Sequence, residues 1–253
     1  MRRFGVNSTR RLLLVAAALS LGAAGACSGG DGSDEGASRG YVLDQLAARA
    51  GSTSRITFYD SIDELLPSVS FQVDSQPPRP LVAGVVVGRV TDVDAGRGFV
   101  SDGADAAGGR PVDISDPNAV WRTVHLIVDV DERIGSAEPR ESIKVGLAFN
   151  GGADVKSMQR GLKNLGAMLL ILERSSPVFS YDRSLYSIAE DGALLATVGS
   201  KGTITLPLKE PAQAAALLEG AATIAELRQH VVTGPRVIRL TVEGGVPRRT
   251  PAP

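Results

Sequence analysis

Two histidines, one cysteine and a series of aspartates are the side chains of this 253-residue sequence that could do chemistry. His125 and Asp129 lie four residues apart in the alternating segment "VWRTVHLIVDVDE", so a strand would place both on one face. Successive positions on one face of a strand are about 6 to 7 Å apart. The pair therefore cannot form one tight metal site without help from a neighbouring strand, and we interpret it as a solvent-facing polar row. His230 falls at the end of a predicted helix, where the helix dipole favours a cation.

Six aspartates between positions 92 and 116 could supply the oxygen ligands that Ca²⁺ prefers. They lack the DxDxDG spacing of a calcium loop and are interspersed with glycines. We therefore expect residues 94–118 to form a long surface loop, and we expect no cofactor or metal. The aspartates of this segment are Asp92, Asp94, Asp102, Asp105, Asp113 and Asp116.

Candidate partner-binding residues come from this loop and from the aromatic segment "VFSYDRSLY". Loops on a rigid scaffold are where binding residues concentrate. The candidates are Asp102, Asp105, Phe179, Tyr181 and Tyr186.

The common signatures of zinc-dependent and nucleotide-dependent catalysis are missing from the sequence, which contains no HExxH or P-loop motif. We therefore favour a non-enzymatic binding or structural module. Two alternatives stay open: a hydrolase or metal-dependent enzyme that uses scattered carboxylates, and a carrier that holds a small ligand in a barrel mouth.

The single cysteine, Cys27, directly follows the apolar segment 12–26, which is preceded by four arginines and no acidic residue. This order is typical of a signal peptide. At about 1.5 Å per residue the apolar segment spans roughly 22 Å as a helix, which is short of a hydrocarbon core of roughly 30 Å. We therefore predict a signal peptide over residues 1–26. The pair Arg10 and Arg11 leaves both the general secretory and the twin-arginine routes open.

Residues Ala24, Gly25 and Ala26 before Cys27 resemble the bacterial lipobox. The resemblance implies cleavage before Cys27, a diacylglycerol thioether on its sulfur, and a protein held by lipid at the extracytoplasmic face of the cell membrane. The expected partners are this membrane and a protein of the cell envelope.

Removal of residues 1–26 leaves 23 basic and 28 acidic residues. Nucleic acid is not expected as a partner, because phosphate binding needs clustered cations and single strands need exposed aromatic rings, whereas aromatic residues make up 4% of the chain. With Cys27 acylated, the mature chain has no thiol for disulfides or thiolate metal sites.

The composition divides the chain into four parts. Residues 1–26 are the signal peptide, and residues 27–40 are polar and glycine-rich, which predicts a lipidated cysteine and a flexible tether. We expect residues 41–246 to form one β-rich domain with C-terminal helices, and residues 247–253 to be a disordered tail.

Within the domain, a short helix is predicted after Ser61, with Glu64 at the capping-box spacing. Residues 81–93 predict a strand in which Gly84 and Gly88 mark bulges. Two helices are expected near the C-terminus, the second with a capping box of Thr223 and Glu226. Further strands are predicted at "VWRTVHLIVDVDE", "SIKVGLAF", "AMLLILE", "LYSIAE", "ALLATVG", "GTITLPL" and "RVIRLTVEG".

The succession "SIDEL", "VVVGRVTDV", "VHLIVDVDERI", "LGAMLLILE" and "LYSIAEDG" resembles the OB-like β-barrels found in exported bacterial proteins. The resemblance covers residues 62–208 and brings no catalytic residues with it. It implies a mainly β fold, an antiparallel OB-like barrel with short flanking helices; a β-sandwich is the alternative. Together with the lipobox, it favours a membrane-anchored module that binds an envelope partner.

Overall fold

The computed structural model describes residues 32–52, 59, 61–73, 77–101, 109–135, 141–174, 179, 181–189, 192–231, 236–243 and 246–251. The predicted signal peptide, Cys27, Asp102 and Asp105 lie outside these residues.

Twelve strands and four α-helices are present in the described ranges, together with a short 3₁₀ helix at Ile62–Leu65. The helices are α1 (Gly32–Ser52), α2 (Val155–Lys163), α3 (Pro211–Leu217) and α4 (Ile224–His230). The strands are β1 (Val69–Val73), β2 (Arg79–Pro80), β3 (Val82–Val100), β4 (Arg110–Val112), β5 (Trp121–Ile134), β6 (Ser142–Asn150), β7 (Ala167–Glu173), β8 (Tyr186–Ile188), β9 (Leu195–Val198), β10 (Ile204–Thr205), β11 (Arg236–Glu243) and β12 (Val246–Pro251).

Five of the strands close into a barrel in the order β3, β5, β6, β8 and β7, with β7 pairing back onto β3. The pairs are antiparallel except for β6 and β8, which run parallel. The predicted mainly β barrel is confirmed. The β-sandwich alternative fails because pairing of β7 with β3 removes the free edges that two stacked sheets would keep.

Strand β3 closes the barrel because it pairs with β5 on one side and with β7 on the other. The register shifts beside Gly84 and Gly88, as expected for bulges. A Cβ at Gly88 would lie inside the contact distance of the Asp129 carbonyl oxygen, so the backbones approach closely only because this residue is glycine.

The barrel interior is filled by apolar side chains that alternate along the strands. The predicted inward face of β5 is confirmed, since Val124, Leu126 and Val128 are fully buried. The other strands contribute Val86, Val90, Val93, Ile143, Val145, Leu147, Phe149, Met168, Leu170, Leu172 and Ile188.

Helices α1 and α2 pack together and add their apolar side chains to this core. The sequence analysis missed α2, whose first turn is capped by Asp154 through a 2.7 Å bond from the backbone N–H of Ser157. It also placed residues 32–40 in the tether, whereas α1 begins at Gly32 and buries Ser38 against α2. Packing against α2 outweighs the low helix propensity of the glycines.

A second core lies between the outside of the barrel and a smaller sheet with the order β12, β11, β1, β2. Helices α3 and α4 contribute Leu217, Ile224 and Leu227 to it. The tail was expected to be disordered, but Val246–Pro251 pairs antiparallel with β11. The physical reason is the edge of β11 that its parallel partner β1 leaves open, which a following strand can occupy.

Two further expectations need correction. Residues 94–118 are not one loop, since β3 continues to Val100 and forms a hairpin with β4. Ser61 precedes the 3₁₀ helix as predicted, but its side chain makes no cap hydrogen bond. Glu64 is buried and lies 3.8 Å from Arg236. The capping box of Thr223 and Glu226 is confirmed.

The contact between α1 and α2 predicts opposite effects for two glycine substitutions. A Cβ at Gly161 would collide with the Ser38 carbonyl oxygen and Val42, whereas a Cβ at Gly40 would meet open space. We expect Gly161→Ala to destabilise the fold by about 1–3 kcal/mol through overpacking. We expect Gly40→Ala to stabilise it by about 0.5–1 kcal/mol through helix propensity. Urea unfolding of both variants checks the signs; stabilisation by Gly161→Ala would contradict the close approach.

Candidate functional site

Phe179 and residues 181–185 cover part of the outward side of β5 and β6, where the side chains are small or partly apolar. Beneath these residues lie Thr123 and His125 of β5, which pair with Ala148 and Gly146 of β6. The Phe179 ring lies over Gly146, where a Cβ would stand 2.5 Å from the ring. We call this surface, together with Phe179 and residues 181–185, the outer face.

Tyr181 is the centre of the outer face. Its hydroxyl and Nε2 of His125 are 2.7 Å apart and share a hydrogen bond. The Arg97 guanidinium carbon lies 4.7 Å from the Tyr181 ring centroid, within the range of a cation–π interaction. The rings of Phe99 and Phe179 each have their centroids 6.4 Å from that of Tyr181. Residues from three separate segments therefore meet at one ring.

A buried threonine holds Arg97 in place. Thr123 is fully buried, and its Oγ1 accepts a 2.8 Å bond from the Arg97 N–H and donates a 3.1 Å bond to the Arg97 carbonyl. This local bridge replaces regular pairing where the register of β3 and β5 shifts between Ala95 and Gly98. The bulge turns the end of β3 so that Arg97 and Phe99 both reach Tyr181.

Burial decides the protonation of the central pair. Burial lowers the pKa of His125, and the Lys144 ammonium lowers it further, against the opposing effect of Asp182 and Asp94. Burial also raises the pKa of Tyr181. Both side chains are therefore neutral near pH 7, and their hydrogen bond joins two uncharged groups.

The covering segment is fixed by its own turn. The Asp182 carboxylate accepts bonds from the N–H of Ser184 at 2.9 Å and from its hydroxyl at 2.6 Å. These bonds lower the pKa of Asp182, because they stabilise its carboxylate within the turn. The Leu185 N–H donates to the Asp182 carbonyl at 3.2 Å, and the buried Leu185 side chain joins Ala148 and Phe179.

A cleft of about 590 Å³ opens beside the outer face. Leu185 is part of both the outer face and the cleft. Lys144 lines the cleft, and its positive charge lowers the pKa of His125 on the outer face. Three of the lining residues are cationic and, among the described residues that line the cleft, none is acidic. The lining consists of Ser142, Ile143, Lys144, Arg174, Arg183, Ser184, Leu185 and Tyr186.

The predicted site residues separate into three groups. Phe179 and Tyr181 come together on the outer face, the first buried and the second half-buried. Tyr186 lines the cleft and packs against the barrel core. Asp102 and Asp105 lie outside the described residues.

The two histidines lie in different surroundings. On β5, His125 stands opposite Gly146 and Asp129 opposite Ser142. Across the described ranges, no three His, Cys, Asp or Glu residues are grouped so that they could hold a metal ion. His230 ends α4, as predicted, where Nε2 lies 2.7 Å from the Gly220 carbonyl oxygen and Nδ1 faces Asp63.

Sequence reasoning missed the cationic residues of the site. Arg97 had been placed in a loop, because the alternation of β3 stops after Val93 even though the strand continues to Val100. Lys144 was visible as an outward position of β6, but nothing in the sequence brings it beside Arg174 and Arg183.

The sequence matches no protein-family model, no curated protein matches it, and no solved structure matches its fold. None of the helices in the described ranges combines the length and the apolar character needed to cross a membrane.

The lowered pKa of His125 predicts a pH dependence of stability. The folded protein binds fewer protons at this site than the unfolded chain does, so the stabilisation is complete above about pH 6.5 and is lost as the pH falls through the lower folded-state pKa. His125→Gln keeps a neutral side chain that can hydrogen bond and removes this titration. We expect the free energy of unfolding of the wild type to fall more than that of the variant between about pH 7.5 and about pH 5.

Urea titrations of both proteins at the two pH values provide the measurement. The carboxylates with lowered pKa values, such as Asp182, titrate below their ordinary value of 3.8 and so do not obscure this range. Parallel losses in the two proteins would contradict the assignment to His125.

Proposed function

We propose that this protein is a lipoprotein, acylated at Cys27 and held at the extracytoplasmic face of the cell membrane, whose barrel binds a cell-envelope partner without chemical turnover. The outer face and the adjoining cleft are the proposed binding surface. The observation that carries the proposal is the position of this surface: an aromatic and cationic patch on the second and third strands of the barrel.

The barrel topology supports this location. In OB-type barrels the second and third strands, with the loops between the first two and the last two strands, form the surface that binds ligands. Here those strands are β5 and β6, and residues 179–185 lie in the connection between β7 and β8. Arginine and tyrosine are also enriched in the residues that dominate binding interfaces.

Two observations favour binding over the alternatives. The interior of the barrel is lined by buried apolar side chains from all five strands, which favours a packed core over a carrier's ligand cavity. The His125 and Tyr181 pair is neutral, and each satisfies the other, which is better suited to holding the outer face together than to transferring protons.

Attachment through Cys27 would assist even a weak interface. Four residues separate Cys27 from Gly32, where α1 begins. An acylated Cys27 would thus keep the barrel near the membrane surface and raise its effective concentration toward any neighbouring partner there.

Substitution of Cys27 tests the anchor. We expect Cys27→Ala to abolish incorporation of radiolabelled palmitate and to leave the precursor unprocessed, because the acylated thiol is missing. Ser28→Ala is the matched control and should be labelled and processed like the wild type. Labelling of the Cys27→Ala variant, or its normal processing with unchanged membrane association, would contradict the proposal.

Site-specific crosslinking tests the binding surface. The photoreactive residue p-benzoylphenylalanine is placed at position 183, in the cleft, or at position 201, in the exposed turn between β9 and β10. We expect irradiation of intact membranes to give a discrete adduct from position 183 and none from position 201. Equal adducts from both positions, or none from position 183, would contradict the proposed surface.

A further inference from the structure

We propose that the cleft between β6 and residues 183–186 binds a phosphate group, carried either by a phospholipid headgroup or by a soluble phosphate ester. This inference rests on the proposed binding function and names the chemistry of one ligand for that surface. It is carried by the joint placement of Lys144, Arg174 and Arg183 around one cavity.

The three cations differ in the contacts that they offer to a phosphate. Arg183 presents a planar guanidinium group that can donate two parallel hydrogen bonds to phosphate oxygens. Arg174 adds a second guanidinium charge to the lining of the cleft. Lys144 adds a compact point charge, and the exposed hydroxyl of Ser142 adds a neutral donor. The positive charge is local, because the whole chain has a formal net charge of −1.

Two carboxylates of the described residues, Asp94 and Asp182, act on Lys144. Asp94 reaches Lys144 at 3.7 Å, and both side chains are about half exposed, so this ion pair is weak. Asp182 uses its Oδ1 for two bonds within its own turn. A phosphate with up to two charges can therefore displace Asp94 from Lys144.

The barrel itself creates the opening. Parallel pairing of β6 with β8 is limited to Val145 with Tyr186 and Gly146 with Ser187. Before Val145, Ser142–Lys144 pairs with β5 only, as far as the described strands extend. Successive residues of a strand direct their N–H groups to opposite sides, so at least one N–H of this stretch points to the open edge. Such an edge is a recognised place for anions.

Titration of the purified full-length protein in a non-ionic detergent tests the proposal. Inorganic phosphate is added at constant ionic strength, and binding is measured by calorimetry. We expect saturable binding that weakens about tenfold or more in the double variant Lys144→Gln/Arg183→Gln, which loses two charge-assisted contacts. Lys201→Gln removes an exposed lysine outside the cleft and should bind like the wild type.

A second substitution predicts a change in the opposite direction. Asp94→Asn removes the carboxylate that competes for Lys144 and should tighten phosphate binding by a few fold. Arg183→Lys keeps the charge but loses the planar fork, so it should bind with intermediate affinity. Thermal unfolding of each variant shows whether its fold is retained, which we expect because the substituted side chains are exposed.

The source of the phosphate is decided by comparing soluble probes. Dihexanoylphosphatidylglycerol and glycerol phosphate are titrated separately, with dihexanoylphosphatidylcholine as the zwitterionic control of equal chain length. Binding of the first alone identifies a lipid headgroup, and binding of glycerol phosphate identifies a phosphate ester. Absence of saturable phosphate binding, or equal affinity in the double variant and the wild type, would overturn the inference.

The phosphate inference and the envelope-partner proposal are tested by independent measurements. Calorimetry on the purified protein does not depend on acylation of Cys27 or on a crosslinked partner. Loss of phosphate binding with a retained adduct at position 183 would refute only the phosphate inference, and the reverse result would refute only the envelope-partner proposal.

Discussion

The double pairing of β3 is the constraint on which the rest of this structure depends. From Val85 to Arg89 each residue of β3 lies between β5 and β7, so one strand joins the two ends of the sheet. This close approach requires the missing side chain of Gly88, beside the Asp129 carbonyl. Closure of the barrel leaves its apolar faces inside, where their burial supplies most of the stability of the fold.

The same closure decides where the binding surface can form. Because β8 is only three residues long, its parallel pairing with β6 ends at Val145, and a cleft remains along Ser142–Lys144. Phe179, between β7 and β8 in the chain, lies over the outward side of β6 and fits there because Gly146 has no side chain. The stretch of chain between β7 and β8 thus contributes Phe179 to the aromatic outer face and Arg183 to the cationic cleft.

The bulge near the end of β3 completes the outer face from the opposite side. Fully buried Thr123 satisfies both backbone polar groups of Arg97, so irregular pairing there costs no hydrogen bond. Arg97 can then stack on Tyr181, whose hydroxyl is held by His125. Each of these contacts joins residues more than 25 positions apart, so none of them follows from local sequence.

The sequence by itself determined the class of fold and most of its elements, because alternation along β5 and β6, the bulge glycines of β3 and the Thr223 capping box are local patterns with local physical causes. It failed where tertiary packing overrides composition: Gly32–Ser52 is helical because α1 packs against α2, and Val246–Pro251 is a strand because β11 offers an edge. Phe179 and Tyr181 were identified as candidate binding residues from their type alone, whereas the sequence gives no sign of the cationic cleft. Only the tertiary structure brings Lys144, Arg174 and Arg183 together, since the closure of the barrel, and no local pattern, sets the distance between β6 and the end of β7.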